Sequence, residues 1–280
     1  MKQLSRLTVC VLALGLATVA SHQALAQAKL DKIKSTGEIQ MGVALEPPYS
    51  EVKTDGTLTG ADPEVTRAVF AEIGKINLKA NVVDWGALIP GLMADRFDAV
   101  ATGLFIRPER CKAVIFSQPL TCTREALLVR KGNPKKITSY KTLVASNAMF
   151  SSVSGAEQKM ALDAGMPENR IMIVPDIFGS VELLKSGRVD VLGFPDVTLR
   201  HAMTLLPAGE YELVDGLVDQ PISCSAAAFA PNQKALRDFF DAGIVKLKQS
   251  GKFAEILTKF NFDSKLNEST SRTALCGGEN

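Results

Sequence analysis

The sequence lacks several features on which common protein activities depend. It has two histidines, and His22 falls in the N-terminal leader, which leaves His201 as the candidate nitrogen ligand farther along the chain. No C-x-x-C spacing accompanies it, so no metal site is predicted. No G-x-G-x-x-G, Walker or G-x-S-x-G motif occurs, so neither a nucleotide loop nor a nucleophile elbow is indicated and no cofactor is predicted.

The sequence has no large excess of basic or of acidic residues. The chain has 32 Lys and Arg against 30 Asp and Glu, a formal net charge of +2. Nucleic-acid-binding proteins show a clustered basic face, and this balance gives no support for one. The 280 residues are enough for one large domain or two medium ones.

One long apolar run is present, and it lies at the N-terminus. Leu7–Ala20 follows Lys2 and Arg6, and Ala24-Leu25-Ala26 then gives the small-x-small pattern of a signal-peptidase site. The run is too short and too rich in Ala and Gly to favour a permanent membrane span. The pattern predicts a signal peptide over residues 1–26, cleaved after Ala26, and an exported mature chain.

Four cysteines follow the predicted cleavage site: Cys111, Cys122, Cys224 and Cys276. An even number in an exported chain favours disulfide bonds, and four cysteines allow three pairings. Proximity favours Cys111 with Cys122, which leaves Cys224 with Cys276, although the sequence alone does not choose among the three. A metal site is the alternative, but a single histidine and cysteines without C-x-x-C spacing provide few ligands for one.

Strand and helix patterns alternate in the first part of the chain. Glu38–Leu45 is typical of a buried strand, and an amphipathic helix follows, with Asp62 as its expected N-cap. A second strand at Asn77–Val83 precedes a helix that begins after Asp84, and a third strand follows at Ala99–Thr102. This order predicts an α/β fold with a parallel sheet covered by helices.

A short phrase occurs twice. Gly91–Val100 (GLMADRFDAV) and Val181–Leu192 (VELLKSGRVDVL) both carry an apolar helix end, then Arg, an apolar residue and Asp, and then a buried strand. Two similar lobes are the simplest explanation, although βα units are common enough for so short a phrase to arise by chance. We place lobe one at residues 27–130 and 225–280 and lobe two at 131–224, with a ligand cleft between them.

Arg110 follows the third strand, within the stretch Thr102–Pro119. Its planar guanidinium can hold a carboxylate by two parallel hydrogen bonds, a geometry that lysine does not offer. The alternative is a surface ion pair with Glu109 or Glu125. At a strand end that faces the cleft, this arginine is a candidate ligand for an anionic group.

Three aromatic residues also follow strands: Tyr49, Trp85 and Phe105, in a chain with one tryptophan and three tyrosines. If they face one another, their ring faces attract a delocalised or alkylated cation, and Glu46 adds a negative partner. Ordinary core packing of the rings and a solvated Glu46 are the alternatives. The pattern predicts a cation-binding cage beside the arginine.

The second lobe offers a strand-to-helix turn at Ser152–Glu157 that includes Gly155. Free amides at a helix N-terminus bind anions, so this turn can contact a carboxylate from the opposite side of the cleft. A helix that is capped by Ser154 and binds no ligand is the alternative.

The motifs Ala44–Tyr49 (ALEPPY), Gly103–Arg110 (GLFIRPER) and Phe116–Pro119 (FSQP) together resemble the periplasmic solute-binding proteins of polar amino-acid type ABC importers, family 3. The resemblance covers essentially the whole mature chain. It implies a two-lobed fold of the type II periplasmic-binding class and a small-molecule ligand in the cleft. It also implies a membrane permease as partner, a periplasmic location, a monomer and no enzymatic activity.

Two positions depart from the amino-acid binders of this family. Phe105 stands where they usually have Thr or Ser, and Pro195 stands where they commonly have an Asp for the ligand's α-amino group. Both departures resemble the subgroup that binds ectoine and hydroxyectoine, cyclic solutes with a carboxylate and a delocalised amidinium. In that subgroup's pattern Arg110 would hold the carboxylate, three rings would enclose the ligand and Glu46 would face the amidinium. The implied ligand-binding set is Glu46, Tyr49, Trp85, Phe105, Arg110, Gly155, Glu157 and Phe194.

Other functions stay open at this stage. Trp85 and Tyr49 stand where smaller aromatics are expected, and Ala156 replaces a hydroxyl residue, so a polar amino acid or a betaine is an alternative ligand. Dehydratases that act on arogenate or prephenate resemble this fold, and in such an enzyme Glu157 or Glu46 would be the general acid. A sensor that docks to a membrane receptor would use the same cleft.

Overall fold

The computed structural model describes residues 29–217 and 220–278. The predicted signal peptide and its cleavage site after Ala26 lie outside the described residues. Within the described ranges no helix is long and apolar enough to cross a membrane. Two five-stranded sheets carry most of the fold.

Helices and short strands connect and cover these sheets. In chain order the strands are β1 Glu38–Val43, β2 Glu51–Val52, β3 Leu58–Thr59, β4 Asn77–Val82, β5 Ala99–Val100, β6 Ile115–Phe116, β7 Thr121–Thr123, β8 Glu125–Arg130, β9 Phe150–Val153, β10 Ile171–Val174, β11 Val191–Pro195, β12 Tyr211–Val214, β13 Ser223–Ser225 and β14 Ala228–Phe229. The helices are α1 over residues 29–36, α2 Ala61–Phe70, α3 Leu88–Met93, α4 Pro108–Cys111, α5 Tyr140–Ala145, α6 Ala156–Asp163, α7 Ile177–Lys185, α8 Asp196–Met203, α9 Lys234–Gln249, α10 Lys252–Lys259 and α11 Arg272–Leu275.

Each large sheet mixes parallel and antiparallel neighbours. The first has the order β4-β1-β5-β14-β6, in which β1 is parallel to β4 and β5, and β14 is antiparallel to β5 and β6. The second has the order β10-β9-β11-β8-β12, in which β9 is parallel to β10 and β11, and β8 is antiparallel to β11 and β12. Helices pack on both sheets, and the predicted two-lobed α/β class is confirmed.

The central strands are apolar because they are covered on both faces. All of β11 is buried, and so is β8 up to its last residue, Arg130. Such strands are near-continuous hydrophobic runs rather than alternating ones. In the first lobe, α9 and α10 pack against α2 through Phe240, Leu257 and Val69.

The repeated sequence phrase has the same structural role in both lobes. The Asp98 carboxylate accepts a hydrogen bond from the backbone N–H of Gln40 in β1 at 2.8 Å. The Asp190 carboxylate accepts one from the N–H of Met149, just before β9, also at 2.8 Å. Each aspartate ties the turn after a helix to the neighbouring strand, which is a physical reason for the phrase to occur twice.

Two short strands form a ribbon between the sheets. β7 and β13 pair antiparallel, with Cys122 opposite Cys224. Directly after β7, β8 pairs in the second sheet, whereas the predicted lobe one extended through residue 130. The chain therefore changes sheets before β8 rather than after it. An apolar strand does not show which sheet it joins, because that depends on partners far along the chain.

The disulfide bonds join Cys122 to Cys224 and Cys111 to Cys276. The prediction that these four cysteines form disulfides is confirmed, but the pairing favoured by proximity, Cys111 with Cys122, is wrong. One bond links the two strands of the ribbon, and the other links the C-terminal segment to α4. Partners separated by 102 and 165 residues are brought together by the fold, which sequence distance does not reflect.

Helix α2 begins differently from the prediction. Its N-cap is Gly60, with φ of 119°, and Asp62 lies in the first turn with its side chain fully buried. The Asp62 carboxylate accepts a hydrogen bond from the backbone N–H of Gly103 at 2.7 Å. The expected N-cap role of Asp62 was wrong, because its carboxylate binds a distant loop instead of its own helix.

Candidate ligand-binding site

A small cavity lies between the two sheets. Glu46 follows β1, Trp85 follows β4 and Phe105 follows β5, and these three strands are neighbours in the first sheet. The carboxyl ends of neighbouring parallel strands meet at one edge, so the fold brings these side chains together. The second lobe contributes the turn after β9 and the start of α6. The lining residues are Glu46, Trp85, Gly103, Phe105, Arg110, Val153, Ser154, Ala156 and Glu157.

Arg110 enters the cavity from the short helix α4. Its Nη1 donates a hydrogen bond to the backbone oxygen of Phe105 at 2.9 Å. This bond fixes the guanidinium against the loop between β5 and α4, residues 101–107, which we call the binding loop. Burial, together with the like charge of Arg107, lowers the pKa of Arg110 to about 10, so the group is a cation at neutral pH. The side chain therefore lies where a ligand's carboxylate can reach it.

Gly155 allows the second lobe to approach this arginine. It is the N-cap residue of α6, with φ of +148°, a conformation that L side chains rarely adopt. A Cβ added to it would lie 3.2 Å from Nη2 of Arg110. Any side chain here would press on the guanidinium, so glycine is required for this contact between the lobes.

Trp85 packs against both lobes. Its half-buried ring lies against the lobe-two hydrophobic cluster that contains Leu199 and against a lobe-one cluster that contains Leu88. The indole Nε1 is buried, and no residue within the described ranges accepts its hydrogen bond. A buried indole N–H normally has a partner, so this donor is available to a polar group in the cavity.

Phe105 lines the cavity, whereas Tyr49 lies behind it. The Tyr49 ring is fully buried and meets Phe105 edge-on, with centroids 6.2 Å apart, and Phe262 at 4.9 Å. A Cβ on Gly103 would lie 2.8 Å from the Tyr49 ring, so the tyrosine packs beneath the binding loop. In this structure Tyr49 supports Phe105 and is not a wall of the cavity.

Phe194 also lies away from the cavity. It is fully buried in β11, within the lobe-two hydrophobic cluster that includes Val181 and Leu199. The sequence predicted an additional ligand ring at this position, and the structure places a core residue there. An aromatic residue at a strand end can face either the core or the cleft, and the sequence pattern does not distinguish the two.

Glu46 connects the lobes across the cavity. Its Oε1 accepts a hydrogen bond from the Thr198 hydroxyl of α8 at 2.9 Å. Burial and the charge of Glu157 raise the pKa of Glu46 well above its usual range. A cationic group placed beside this carboxyl would stabilise its ionised form.

Glu157 is the second carboxyl in the cavity. It lies in the first turn of α6, where the helix dipole favours negative charge, and it is buried. Burial raises its pKa, and the cations of Arg107 and Arg110 act in the opposite direction. Within the described parts of the chain, no cluster of His, Cys, Asp and Glu side chains could hold a metal ion.

Asp62 ties the binding loop to the ribbon between the sheets. Besides the N–H of Gly103, its carboxylate accepts hydrogen bonds from the hydroxyl of Ser225 in β13 at 3.1 Å and that of Thr121 in β7 at 3.4 Å. Burial raises the pKa of Asp62 to about 6. The loop that carries Phe105 is thus anchored to both strands of the ribbon.

Several polar residues near the cavity were not predicted as site residues. Thr198 holds Glu46, Arg107 lies over the Phe105 ring at 5.8 Å from its centroid, and Glu125 is fully buried near Arg107. Pro195-Asp196 before a helical pattern is a start signal that would have indicated α8 and thereby Thr198. For Glu125 there is no such signal, because a carboxylate at a strand start is usually solvated.

Comparison with known proteins identifies one family. The family described as bacterial extracellular solute-binding proteins, family 3, matches residues 39–263. A probable amino-acid ABC transporter periplasmic-binding protein of Sinorhizobium fredii is 30% identical over 263 residues, which cover 91% of this chain and 87% of the relative.

Two further similarities concern the ligand and the chemistry. The crystal structure of EhuB in complex with hydroxyectoine superposes with a TM-score of 0.84 at 38% identity, covering 88% of this chain and 97% of EhuB. Cyclohexadienyl dehydratase of Pseudomonas aeruginosa is 21% identical over 252 residues, which cover 89% of this chain and 92% of the enzyme.

Proposed function

This chain belongs to the bacterial extracellular solute-binding proteins of family 3, and on that premise we propose that its ligand is a zwitterionic compatible solute, namely ectoine or hydroxyectoine. At the level of the family, the protein is the substrate-binding component of an amino-acid type ABC importer with the type II periplasmic-binding fold. The narrower assignment concerns the chemistry of the cavity.

The observation that carries the proposal is the combination of groups in one small cavity. A guanidinium, two carboxyls and two aromatic rings line it together. Arg110 offers a bidentate grip for the ligand's carboxylate, and the Trp85 and Phe105 rings attract a delocalised cation. Glu46 and Glu157 complement that cation. The similarity to EhuB, at 38% identity, supports the same ligand class.

A free α-amino acid fits this cavity less well. Its ammonium group needs hydrogen-bond acceptors in a compact geometry, and Phe105 supplies a ring where a hydroxyl would serve that purpose. Pro195 offers no carboxylate, and the neighbouring Asp196 accepts a hydrogen bond from Thr123 of the ribbon. The groups that remain suit a flat, charge-delocalised ring.

The cellular setting follows from the relatives. The Sinorhizobium fredii relative is named as a periplasmic-binding protein, which supports export to the periplasm through the predicted signal peptide. The protein would act as a monomer that closes its lobes over the ligand and presents the closed form to the permease. Ligand contacts with both lobes favour closure because only a difference in affinity between the two states shifts their populations.

Titration calorimetry with ectoine, hydroxyectoine, glycine betaine and arginine tests the assignment. We expect saturable heat from the two ectoines and none from arginine. Saturable binding of arginine or betaine alone would replace the proposed ligand class while leaving the importer function in place.

Arg110→Ala should weaken the binding of hydroxyectoine by roughly 10- to 150-fold, because charged hydrogen bonds contribute about 1.5–3 kcal/mol. Arg110→Lys should also lose affinity, since it keeps the charge but not the planar fork. Arg188→Ala, at an exposed arginine of the second lobe, is the matched control and should bind as the wild type does. Unchanged affinity in Arg110→Ala would remove this residue from the site.

A second candidate function is favoured by one observation. Glu157 is a buried cavity carboxyl whose pKa is raised by burial, as a general acid for the loss of water requires. The similarity to cyclohexadienyl dehydratase is consistent with such chemistry. A turnover assay with arogenate and prephenate decides this point, and measurable product formation would make the enzyme the better assignment.

A further inference from the structure

Glu125 is a buried acid that lies outside the cavity lining and has no role in the ligand contacts described above. We infer that Glu125 is a positioning residue that shares one proton with Glu157, and that uptake of a cationic ligand expels this proton. The inference rests on the proposed function, because the ligand's positive charge is what displaces the proton.

The surroundings of Glu125 leave half of its carboxyl without a donor. Its Oε1 accepts a hydrogen bond from the Ser223 hydroxyl at 3.1 Å and lies 4.0 Å from Nη2 of Arg107. Its Oε2 is buried, and no hydrogen-bond donor is found for it among residues 29–217 and 220–278. Because a buried carboxylate oxygen without a donor is costly, a proton at this oxygen is strongly favoured.

The partner for that proton is Glu157. The two carboxyls are within hydrogen-bonding distance, and carboxylates are acceptors only, so they can bond to each other only when one of them is protonated. Burial and the charge of Glu157 raise the pKa of Glu125 to about 8. At neutral pH the pair therefore carries a proton while the cavity holds no ligand.

Several other charged groups face this pair. Arg107 and Arg110 favour ionisation of Glu157, and Arg107 also acts on Glu125. Glu46 and Asp196 act in the opposite direction. Tyr49 also interacts electrostatically with Glu125. Burial raises the pKa of the Tyr49 hydroxyl, so this side chain stays neutral. The buried carboxyls of Glu46, Glu125 and Glu157 thus lie near the two guanidiniums of Arg107 and Arg110. One proton on the Glu125–Glu157 pair brings the net charge of these five groups close to zero.

A ligand's cationic group would replace that proton electrostatically. Placed beside Glu157, it stabilises the ionised carboxylate and lowers the pKa of the pair. The O–H bond of the carboxyl breaks, the electron pair stays on the carboxylate, and the proton passes to the buffer. The ligand-free pair is protonated below about pH 8, and the bound pair loses its proton at lower pH. Affinity therefore rises with pH between the two pKa values, by at most about tenfold per pH unit, and levels off above them.

Calorimetry with hydroxyectoine at neutral pH, in buffers with different heats of protonation, measures this release. Glu46 can release a proton of its own, so the informative quantity is a difference between variants. The wild type should release about one proton more than Glu125→Gln, whose amide N–H donates to Glu157 without titrating. Between roughly pH 6 and 8 the wild type should gain affinity relative to this variant. Glu168→Gln, at an exposed acid of the same lobe, is the control and should match the wild type.

A merely structural role for Glu125 would change affinity or stability without changing the number of protons released. Equal release in the wild type and in Glu125→Gln would overturn the inference.

Infrared spectroscopy of the ligand-free protein provides a test that does not need the ligand. A protonated Glu46 gives a carbonyl band of its own, so the informative band is the difference between the wild type and Glu125→Gln, which should be present at neutral pH and lost as the pH rises through about 8. Absence of this band would overturn the inference even if hydroxyectoine binds. If hydroxyectoine produces no heat but the band is present, the proposed ligand fails and the shared proton is supported.

Discussion

At the scale of single residues, Asp62 connects the ligand-binding loop to the ribbon between the lobes. Its carboxylate accepts hydrogen bonds from the backbone of Gly103 and from hydroxyls on β7 and β13. The carboxylate is fully buried with no guanidinium or ammonium among these partners. Burial therefore outweighs the hydrogen bonds and raises its pKa from 3.8 to about 6.

This shift predicts a pH-dependent contribution to stability. Asp62 stays protonated in the folded protein between about pH 4 and 6, where it is ionised in the unfolded chain, so stability is lost as the pH rises through this window. The change amounts to about 3 kcal/mol, from 1.36 kcal/mol per pKa unit. Asp62→Asn lacks the titration, so its free energy of unfolding should improve relative to the wild type by about this amount between pH 4 and 7. Denaturant unfolding at both pH values measures this, and parallel pH curves for the two proteins would contradict the account.

Most of the site residues predicted from the sequence lie at the cavity, and two do not. Glu46, Trp85, Phe105, Arg110 and Glu157 line the cavity, and Gly155 contacts the arginine beside it. Tyr49 and Phe194 are packed behind the cavity or in the core. Which way a ring turns at a strand end depends on its neighbours in space. The family motifs located the segments, and only packing decided the direction of each side chain.

At the scale of secondary structure, the element that carries Arg110 is unusually dependent on a distant segment. α4 has four residues, too few for a helix that is stable alone. Cys111 follows Arg110 directly and is bonded to Cys276, which fixes α4 to the C-terminal segment. That segment is held in turn by Arg272, whose Nη1 donates to Asp241 at 2.7 Å.

Removal of this bond should therefore affect the ligand site as well as stability. Cys111→Ser/Cys276→Ser should lower the free energy of unfolding by about 2–4 kcal/mol and should also weaken hydroxyectoine binding. Cys122→Ser/Cys224→Ser, which opens the bond within the ribbon, is the comparison. It should destabilise the protein similarly with a smaller loss of affinity, because α4 stays attached. Denaturant unfolding and calorimetry on both double variants measure the two effects, and equal losses of affinity would contradict this role for the C-terminal segment.

Long elements were predictable and short ones were not. The strands predicted at Glu38–Leu45 and Asn77–Val83 are β1, Glu38–Val43, and β4, Asn77–Val82, in the structure. β7, β12 and α8 were missed, since three to eight residues offer little hydrophobic periodicity. Their positions are fixed by long-range pairing and by the ribbon.

At the scale of the whole molecule, the two lobes already touch across the cavity. The Thr198 hydroxyl donates to Glu46, and the Thr123 hydroxyl donates to Asp196 at the base of the cleft. Because Glu46 also lines the cavity, the first of these bonds links the contact between the lobes to the geometry of the cavity. Two lobes with a cleft could be predicted from the repeated phrase, whereas this contact between distant segments could not.

Thr198→Val removes the hydroxyl and keeps the shape of the side chain. It leaves a buried Glu46 oxygen without its donor in the closed form, at a cost of about 1–3 kcal/mol. We expect hydroxyectoine affinity to fall by roughly 5- to 150-fold, measured by calorimetry. Thr204→Val, at an exposed threonine just after α8, is the matched control and should leave affinity unchanged. The same affinity in both variants would show that this bond does not contribute to closure.

The most direct test of the central claim is a crystal structure of the protein grown with hydroxyectoine. The account predicts the ligand in the cavity between the lobes, with its carboxylate on the Arg110 guanidinium, its ring against Trp85 and Phe105, and its amidinium towards Glu46 and Glu157. A cavity that stays without ligand at saturating hydroxyectoine, or a carboxylate turned away from Arg110, would contradict it.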